Sequence, residues 1–235
     1  MTEPLLAVHE LGKAFGGLHA VDNVNFVIGD QRVVGIIGPN GSGKSTLINL
    51  VSGLLRADSG QVFFRGKSIL GKLPHQIFRQ GLNRTFQSTR IFPGFTVLQN
   101  MQISAWSQGL SDSVVAKQLE TLGLGPLAQH EARNLSYGDR KLLELGMSLI
   151  GEPLLVMLDE PLAGVHNDVV QRVADIIRSS PNTTFVIVEH NVPFVMAICE
   201  RIIVLNHGQV LADGRPEVIR HDPQVIEAYL GSEQY

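Results

Sequence analysis

The chain has 235 residues, of which 44% are hydrophobic and 17% charged, and its formal net charge is −3. This composition is globular, which excludes an intrinsically disordered chain, and the length allows one large domain or a main domain with a small lobe. A single cysteine excludes an internal disulfide framework and fits a reducing compartment. No apolar run approaches the roughly 18 residues of a membrane span, and the N-terminus MTEPLLAVHE lacks the basic region followed by a long apolar region of a signal peptide. We therefore expect a cytoplasmic protein.

Short apolar runs rich in β-branched residues recur along the chain. They are RVVGII (32–37), LLVML (154–158), TFVIVEH (184–190) and RIIVL (201–205). Near-continuous apolar strands separated by helical stretches are typical of a parallel sheet covered on both faces. Apolar spacing predicts that three of the helices begin at Lys44, Lys141 and Asn167.

Two further features modify this α/β pattern. The segments VDNVNFVI and GQVFFRG alternate between apolar and polar residues, which predicts a small antiparallel sheet with one wet face. Between Gln87 and Ser136 the pattern becomes helix-like, which predicts a helical subdomain, approximately 88–150, inserted into the core. We predict a single domain, 1–235, with these two lobes.

The segment GPNGSGKST fits the pattern G-x-x-x-x-G-K-[ST] between a buried strand and a helix, the context that a P-loop requires. Its residues are Gly38, Pro39, Asn40, Gly41, Ser42, Gly43, Lys44, Ser45 and Thr46. The glycines let consecutive backbone N–H groups surround phosphate oxygens, and the helix N-terminus adds a positive dipole end. Lys44 can bind the β- and γ-phosphates and Ser45 can bind Mg²⁺, so the sequence predicts a nucleoside-triphosphate site in a P-loop NTPase core.

Polar residues also end two predicted strands. LLVMLDEP ends in Asp159, placed to hold Mg²⁺, and Glu160, which can polarise an attacking water. TFVIVEHN ends in His190, at an edge of the sheet where ligands bind, so it can contact the γ-phosphate. Gln87, in RTFQSTR, can orient water or complete a Mg²⁺ shell. Alone, each of these residues is as well explained by capping or ordinary packing.

The order P-loop, Gln87, LSYGD, LLVMLDE and His190 resembles an ATP-binding-cassette (ABC) ATPase over nearly the whole chain. In that family the motif between the glutamine and the strand LLVML is usually LSGGQ, and it is called the signature. The resemblance implies that Phe15 stacks on adenine, with a core aromatic as the alternative, and that two subunits pair head to tail. Ser136 and Gly138 would then contact the ATP of the partner subunit, and an isolated monomer would bind ATP but hydrolyse it slowly.

A closer resemblance is to ATP-binding subunits of branched-chain amino-acid importers and their urea- or amide-importing relatives. It rests on LSYGDRKLLELG, DEPLAGV, VEHNVPFVM and GRPEVIRHDPQVIEAYLG. Lipopolysaccharide-export ATPases share the AGV phrase and a similar tail. The chain departs from the wider family at His166, which stands where a loop aspartate is usual, and at Asp139, a negative charge beside an expected phosphate.

The resemblance implies an ATPase that energises a separate transmembrane permease from the cytoplasmic face of the inner membrane, with a second ATP-binding subunit and an extracytoplasmic solute-binding protein. From Ser59 to Ser111 the chain has no acidic residue but six cations, Arg65, Lys67, Lys72, Arg79, Arg84 and Arg90. We assign this surface to permease docking; anionic lipid and a merely solvated basic face are alternatives. A non-transport ATPase acting on nucleic acid and a regulatory subunit without turnover are rival functions, and we expect no nucleic acid partner.

Overall fold

The computed structural model describes residues 3–85 and 90–230. Its strands are β1 Leu6–Phe15, β2 Leu18–Ile28, β3 Val33–Ile37, β4 Ser59–Phe64, β5 Lys67–Ser68, β6 Leu82–Arg84, β7 Leu155–Asp159, β8 Thr184–Val188, β9 Arg201–Asn206 and β10 Gln209–Gly214. Its α-helices are α1 Lys44–Val51, α2 Pro74–Phe78, α3 Val97–Trp106, α4 Asp112–Thr121, α5 Tyr137–Leu149, α6 Asn167–Arg178, α7 Val192–Ile198, α8 Pro216–Ile219 and α9 Pro223–Leu230.

The chain forms two compact units, one of Met1–Leu82 with Val186–Tyr235 and one of Asn83–Phe185. The first unit contains a four-stranded sheet in the order β2-β1-β4-β5. In this sheet β1 pairs antiparallel with both neighbours, so that Leu6 lies opposite Ile28 on one side and Phe64 on the other. Along β2, Phe26 is buried and the adjacent Asn25 is exposed. This is the antiparallel sheet with one wet face that the alternation predicted.

The first unit also contains part of a larger sheet, in which the strand order is β10-β9-β3 followed by the last three residues of β8. β3 pairs in parallel with β9, with Val34 opposite Arg201, and β10 returns antiparallel along β9. Every residue of β3 is buried, as expected for a parallel strand covered on both faces. The predicted α/β fold with a mostly parallel sheet is therefore confirmed.

The second unit combines β7 and the first residues of β8 with helices α3 to α6. β7 is tied to the chain on either side: the Thr85 N–H donates to the Met157 carbonyl at 2.9 Å and the Thr184 N–H to the Leu154 carbonyl at 3.0 Å. The buried Asn100 side chain accepts from the Phe92 N–H at 2.7 Å and so anchors the segment that leads into α3.

Two predicted helix starts, at Lys44 and Asn167, agree with α1 and α6, but the predicted start at Lys141 is wrong. α5 begins four residues earlier, at Tyr137, because the Ser136 hydroxyl accepts the Asp139 N–H at 3.1 Å and caps the helix there. The extent of the helical subdomain, approximately 88–150, and the description of the chain as one domain stay predictions. Within the described ranges, no helix is long and apolar enough to cross a membrane.

Candidate active site

The phosphate loop connects β3 to α1 and depends on glycine at two close approaches of the backbone. A Cβ atom on Gly38 would lie 2.1 Å from the Leu205 carbonyl oxygen, and one on Gly43 would lie 2.2 Å from the Ala20 carbonyl oxygen. Gly43 also has a φ of 101°, a conformation that other residues rarely adopt, and it immediately precedes α1. The two glycines therefore let the loop turn tightly onto the helix N-terminus.

Lys44, the first residue of α1, is buried, with its ammonium inside this loop. Its Nζ donates to the carbonyl oxygens of Gly38 and Pro39, both at 2.8 Å, and lies 3.4 Å from the Ser42 hydroxyl. The next residue, Ser45, is exposed. The loop thus places a cation, a helix N-terminus without a side-chain cap and a hydroxyl within one short segment, an arrangement suited to binding phosphate.

Phe15 ends β1, is 48% exposed and contacts Lys13 through its ring. The Lys13 Nζ lies 5.5 Å from the ring centroid, a cation–π distance. Asp58 accepts hydrogen bonds from the Lys13 ammonium at 2.7 Å and from the Ala14 N–H at 2.8 Å. These two hydrogen bonds, the backbone one first, lower the pKa of Asp58 below its ordinary value. Asp58, which the sequence did not single out, thus fixes the end of β1.

The strand β8 is followed by Glu189 and His190, which have different environments. The Glu189 carboxylate is buried and accepts the backbone N–H groups of His190 at 3.1 Å and Asn191 at 3.3 Å. The His190 side chain is exposed. Asn191 caps α7 by accepting the Phe194 N–H at 3.1 Å. Glu189 therefore stabilises the turn between β8 and α7, and His190 is accessible to a ligand.

In the second unit, β7 ends at the buried Asp159. Its Oδ2 lies 3.3 Å from the Arg84 Nη2, and its backbone N–H donates to the Thr85 hydroxyl at 3.2 Å. Burial lowers the pKa of the Arg84 guanidinium, an effect that the Asp159 charge opposes and Arg90 reinforces. Arg84 and Thr85 were missed as site residues, although they directly precede the Phe-Gln pair of RTFQ.

Glu160 follows with a φ of 49°, in the left-handed region that non-glycine residues seldom occupy. Such backbone strain often occurs at functional positions. Gln87, predicted as a catalytic and Mg²⁺-binding residue, lies outside the described residues. In the described part of the chain, no group of three or more His, Cys, Asp or Glu side chains could hold a metal.

The segment RNLSYGDRK leads into the first turn of α5 and contains two of the predicted site residues, Ser136 and Gly138. Ser136 is exposed, and its hydroxyl donates to the Asp139 carboxylate at 2.7 Å. A Cβ atom on Gly138 would lie 2.6 Å from Cγ2 of Val169, so glycine is also required there by packing within the chain. The Arg172 guanidinium lies 3.5 Å from Asp139, a contact that sequence spacing did not predict.

The environments of His166 and Cys199 are also clear. His166 directly precedes α6, is exposed and makes no side-chain capping hydrogen bond. Cys199 is buried, and burial together with the charge of Glu200 raises its thiol pKa to about 12. A thiol that stays protonated is not a nucleophile, so Cys199 is a buried packing residue.

The sequence is similar to family models and to known proteins. The family model of the ABC transporter matches residues 21–163, and a model described as branched-chain amino acid ATP-binding cassette transporter matches residues 209–235. The chain is 38% identical to the high-affinity branched-chain amino acid transport ATP-binding protein LivG of Escherichia coli K12, over 98% of this chain and 99% of the relative. It is 36% identical to the corresponding protein BraF of Pseudomonas aeruginosa, with the same coverage of both chains.

Solved structures give the same result. The ADP conformation of MJ1267, an ATP-binding cassette of an ABC transporter, superposes with a TM-score of 0.88 at 34% identity, covering 97% of this chain and 99% of that one. A nucleotide-free ATP-binding cassette from an ABC transporter superposes with a TM-score of 0.87 at 34% identity, covering 96% and 98% of the two chains.

Proposed function

Because the chain belongs to the ABC transporter family of ATP-binding proteins, we propose that it is the ATP-hydrolysing subunit of an importer for branched-chain amino acids. It binds and hydrolyses ATP to energise a separate permease. The relatives named as branched-chain amino acid transport proteins support the solute class, and the match of residues 209–235 to the corresponding model favours it over lipopolysaccharide export. A urea or amide importer is the alternative.

The position of Lys44 carries the ATP-binding part of this proposal. A buried ammonium held by two carbonyls of its own loop, at a helix start without a side-chain cap, is suited to bind polyphosphate by charge and by dipole. Phe15 supplies an exposed ring for stacking on adenine, an interaction that needs only the ring face. Gly38 to Thr46 wrap the phosphates.

Mg²⁺ is the metal that fits the proposed ligands. Ser45, Asp159 and Gln87 would hold the metal through hydroxyl, carboxylate and amide oxygens, the hard donors that Mg²⁺ prefers. Arg84 orients one Asp159 oxygen from 3.3 Å. When bound, Mg²⁺ neutralises phosphate charge during transfer.

The remaining proposed residues act on the attacking water and on the γ-phosphate. Glu160 polarises the water, and the exposed His190 contacts the γ-phosphate. The signature residues Ser136 and Gly138 provide a hydroxyl and a backbone N–H at the N-terminus of α5, which is the positive end of the helix dipole. We propose that they bind the ATP of a second copy of the chain or of a related subunit in a head-to-tail dimer.

The partners and location follow from the same role. We place the chain at the cytoplasmic face of the cell membrane, docked on permease subunits and served by an extracytoplasmic solute-binding protein. Arg65, Lys67 and Arg79 of the acid-free segment line one polar pocket of the first unit together with Glu3 and Gln80. This clustering supports a basic docking face.

Transport by the assembled system tests the solute. The complete importer, with its permeases and binding protein, should take up labelled leucine, isoleucine or valine in vesicles loaded with ATP, and Glu160→Gln should abolish uptake. Uptake of urea or short amides without these amino acids would contradict the proposed solute but leave the ATPase role intact.

A further inference from the structure

Asp139 is an unexpected residue in the signature, because its carboxylate stands where a partner's γ-phosphate is proposed to arrive. Its two oxygens have different partners. Oδ2 accepts the Ser136 hydroxyl proton at 2.7 Å, and Oδ1 lies 3.5 Å from Nη1 of Arg172. The hydroxyl proposed to bind phosphate is therefore already donated to a carboxylate, and that carboxylate is paired with a cation.

Arg172 reaches Asp139 from α6 and is held in place from the other side. Its Nη2 donates to the Leu122 carbonyl, the C-terminal end of α4, at 2.7 Å, where a cation is favoured by the helix dipole. Gly123 leaves room for this contact: its φ is 65°, and a Cβ atom there would lie 3.1 Å from the Arg172 Nη2. One guanidinium thus links α4, α5 and α6.

Charge explains why this link matters. An unpaired carboxylate at the start of α5 would stabilise the helix but repel a phosphate that carries several negative charges. The Asp139 and Arg172 side chains are only 23% and 37% exposed, so their pairing cancels much of that field locally instead of leaving it to solvent.

We propose that Arg172 is a positioning residue that neutralises Asp139, so that the signature can receive the γ-phosphate of ATP bound by a second copy of the chain. On arrival of the phosphate, the Ser136 hydroxyl turns from Asp139 to a phosphate oxygen, and Arg172 retains the carboxylate. This inference rests on the proposed head-to-tail dimer and adds the residue that makes an acidic signature compatible with it.

The test uses a Glu160→Gln parent, which should bind ATP without hydrolysing it, and measures the ATP-dependent dimer by sedimentation. Arg172→Gln should weaken the dimer by about fivefold per site, the upper range for a partly exposed ion pair. A two-fold symmetric dimer contains the site twice, so the dissociation constant should rise about 25-fold. Adding Asp139→Asn, which removes the charge but keeps an acceptor for Ser136, should restore the parent value.

Two controls separate charge from structure. Arg178→Gln removes another arginine of α6, one paired with Asp175 at 3.2 Å, and should leave the dimer unchanged. Arg172→Lys keeps the positive charge and should retain most of the affinity. Binding of a fluorescent ATP analogue to each monomer should be the same, because the first unit contains the phosphate loop and Phe15.

The outcomes distinguish this inference from the proposed function. If the Glu160→Gln parent forms no dimer with ATP, the head-to-tail proposal and this inference fail together. If the parent dimerises and Arg172→Gln behaves like Arg178→Gln, only the inference is overturned. It is also overturned if Asp139→Asn does not rescue Arg172→Gln, because Arg172 would then act through packing and not through charge.

Discussion

Phe15 illustrates how a single ring is prepared for a ligand. Lys13 covers one face, and Asp58 holds both that lysine and the backbone beside the ring, so the side chain is oriented before any nucleotide binds. Preorganisation of this kind increases affinity because less conformational entropy is lost on binding.

Removing the ring should therefore weaken ATP binding. Phe15→Ala should raise the dissociation constant for ATP about tenfold or more, the range expected for loss of one base–aromatic stack. Asp58→Asn, which keeps the ring but loses the charged clamp, should give a smaller increase. Titration with a fluorescent ATP analogue measures both, and Phe15→Tyr is the matched control that should bind normally. Equal affinity of Phe15→Ala and the parent would show that the ring does not contact adenine.

At the scale of elements, the start of α5 has two requirements that meet at Gly138. Its backbone N–H is proposed to face a phosphate, and its missing side chain leaves space for Val169 of α6. A side chain at position 138 would therefore disturb the packing of α5 against α6 even when no ligand is bound.

The packing role makes a prediction that does not depend on ATP. Gly138→Ala places a methyl group 2.6 Å from the Val169 Cγ2 and should reduce the free energy of unfolding by about 1–3 kcal/mol, the usual cost of overpacking. The double variant Gly138→Ala/Val169→Ala should recover part of this loss, beyond the sum of the single effects. Denaturant unfolding followed by circular dichroism measures it; strictly additive effects would contradict the contact.

At the scale of the whole molecule, the basic segment 59–111 is proposed to dock the permease, except for Arg84, whose side chain is only 10% exposed and pairs with Asp159. Charge reversal at Arg79 or Arg90, both exposed, should lower solute uptake by the assembled transporter while ATP binding stays normal. Reversal at Arg56, an exposed arginine outside the segment, is the control and should have no effect. Normal assembly and uptake with both reversed variants would exclude this segment as the docking site.

The fold and the phosphate loop could be predicted from the sequence because their signals are local. Apolar runs such as RVVGII identify strands, and the pattern from Gly38 to Thr46 requires a definite strand-loop-helix context. The start of α5 was misplaced because apolar spacing does not register the Ser136 cap. The ion pairs of Arg84 with Asp159 and of Arg172 with Asp139 could not be predicted. Their partners are 75 and 33 residues apart in the chain, and such contacts depend on how the strands and helices pack.

The central claim is that the signature of one copy completes the ATP site of another. Mixing two inactive variants tests it most directly: Lys44→Ala lacks the loop cation but keeps the signature, and Ser136→Asp keeps the helix cap but presents a negative charge to phosphate. Neither should hydrolyse ATP alone. Mixed one to one, they should regain about a quarter of the wild-type rate. Half of the dimers then contain one copy of each variant, and one of the two ATP sites in such a dimer is intact. A mixture as inactive as its components would contradict the claim.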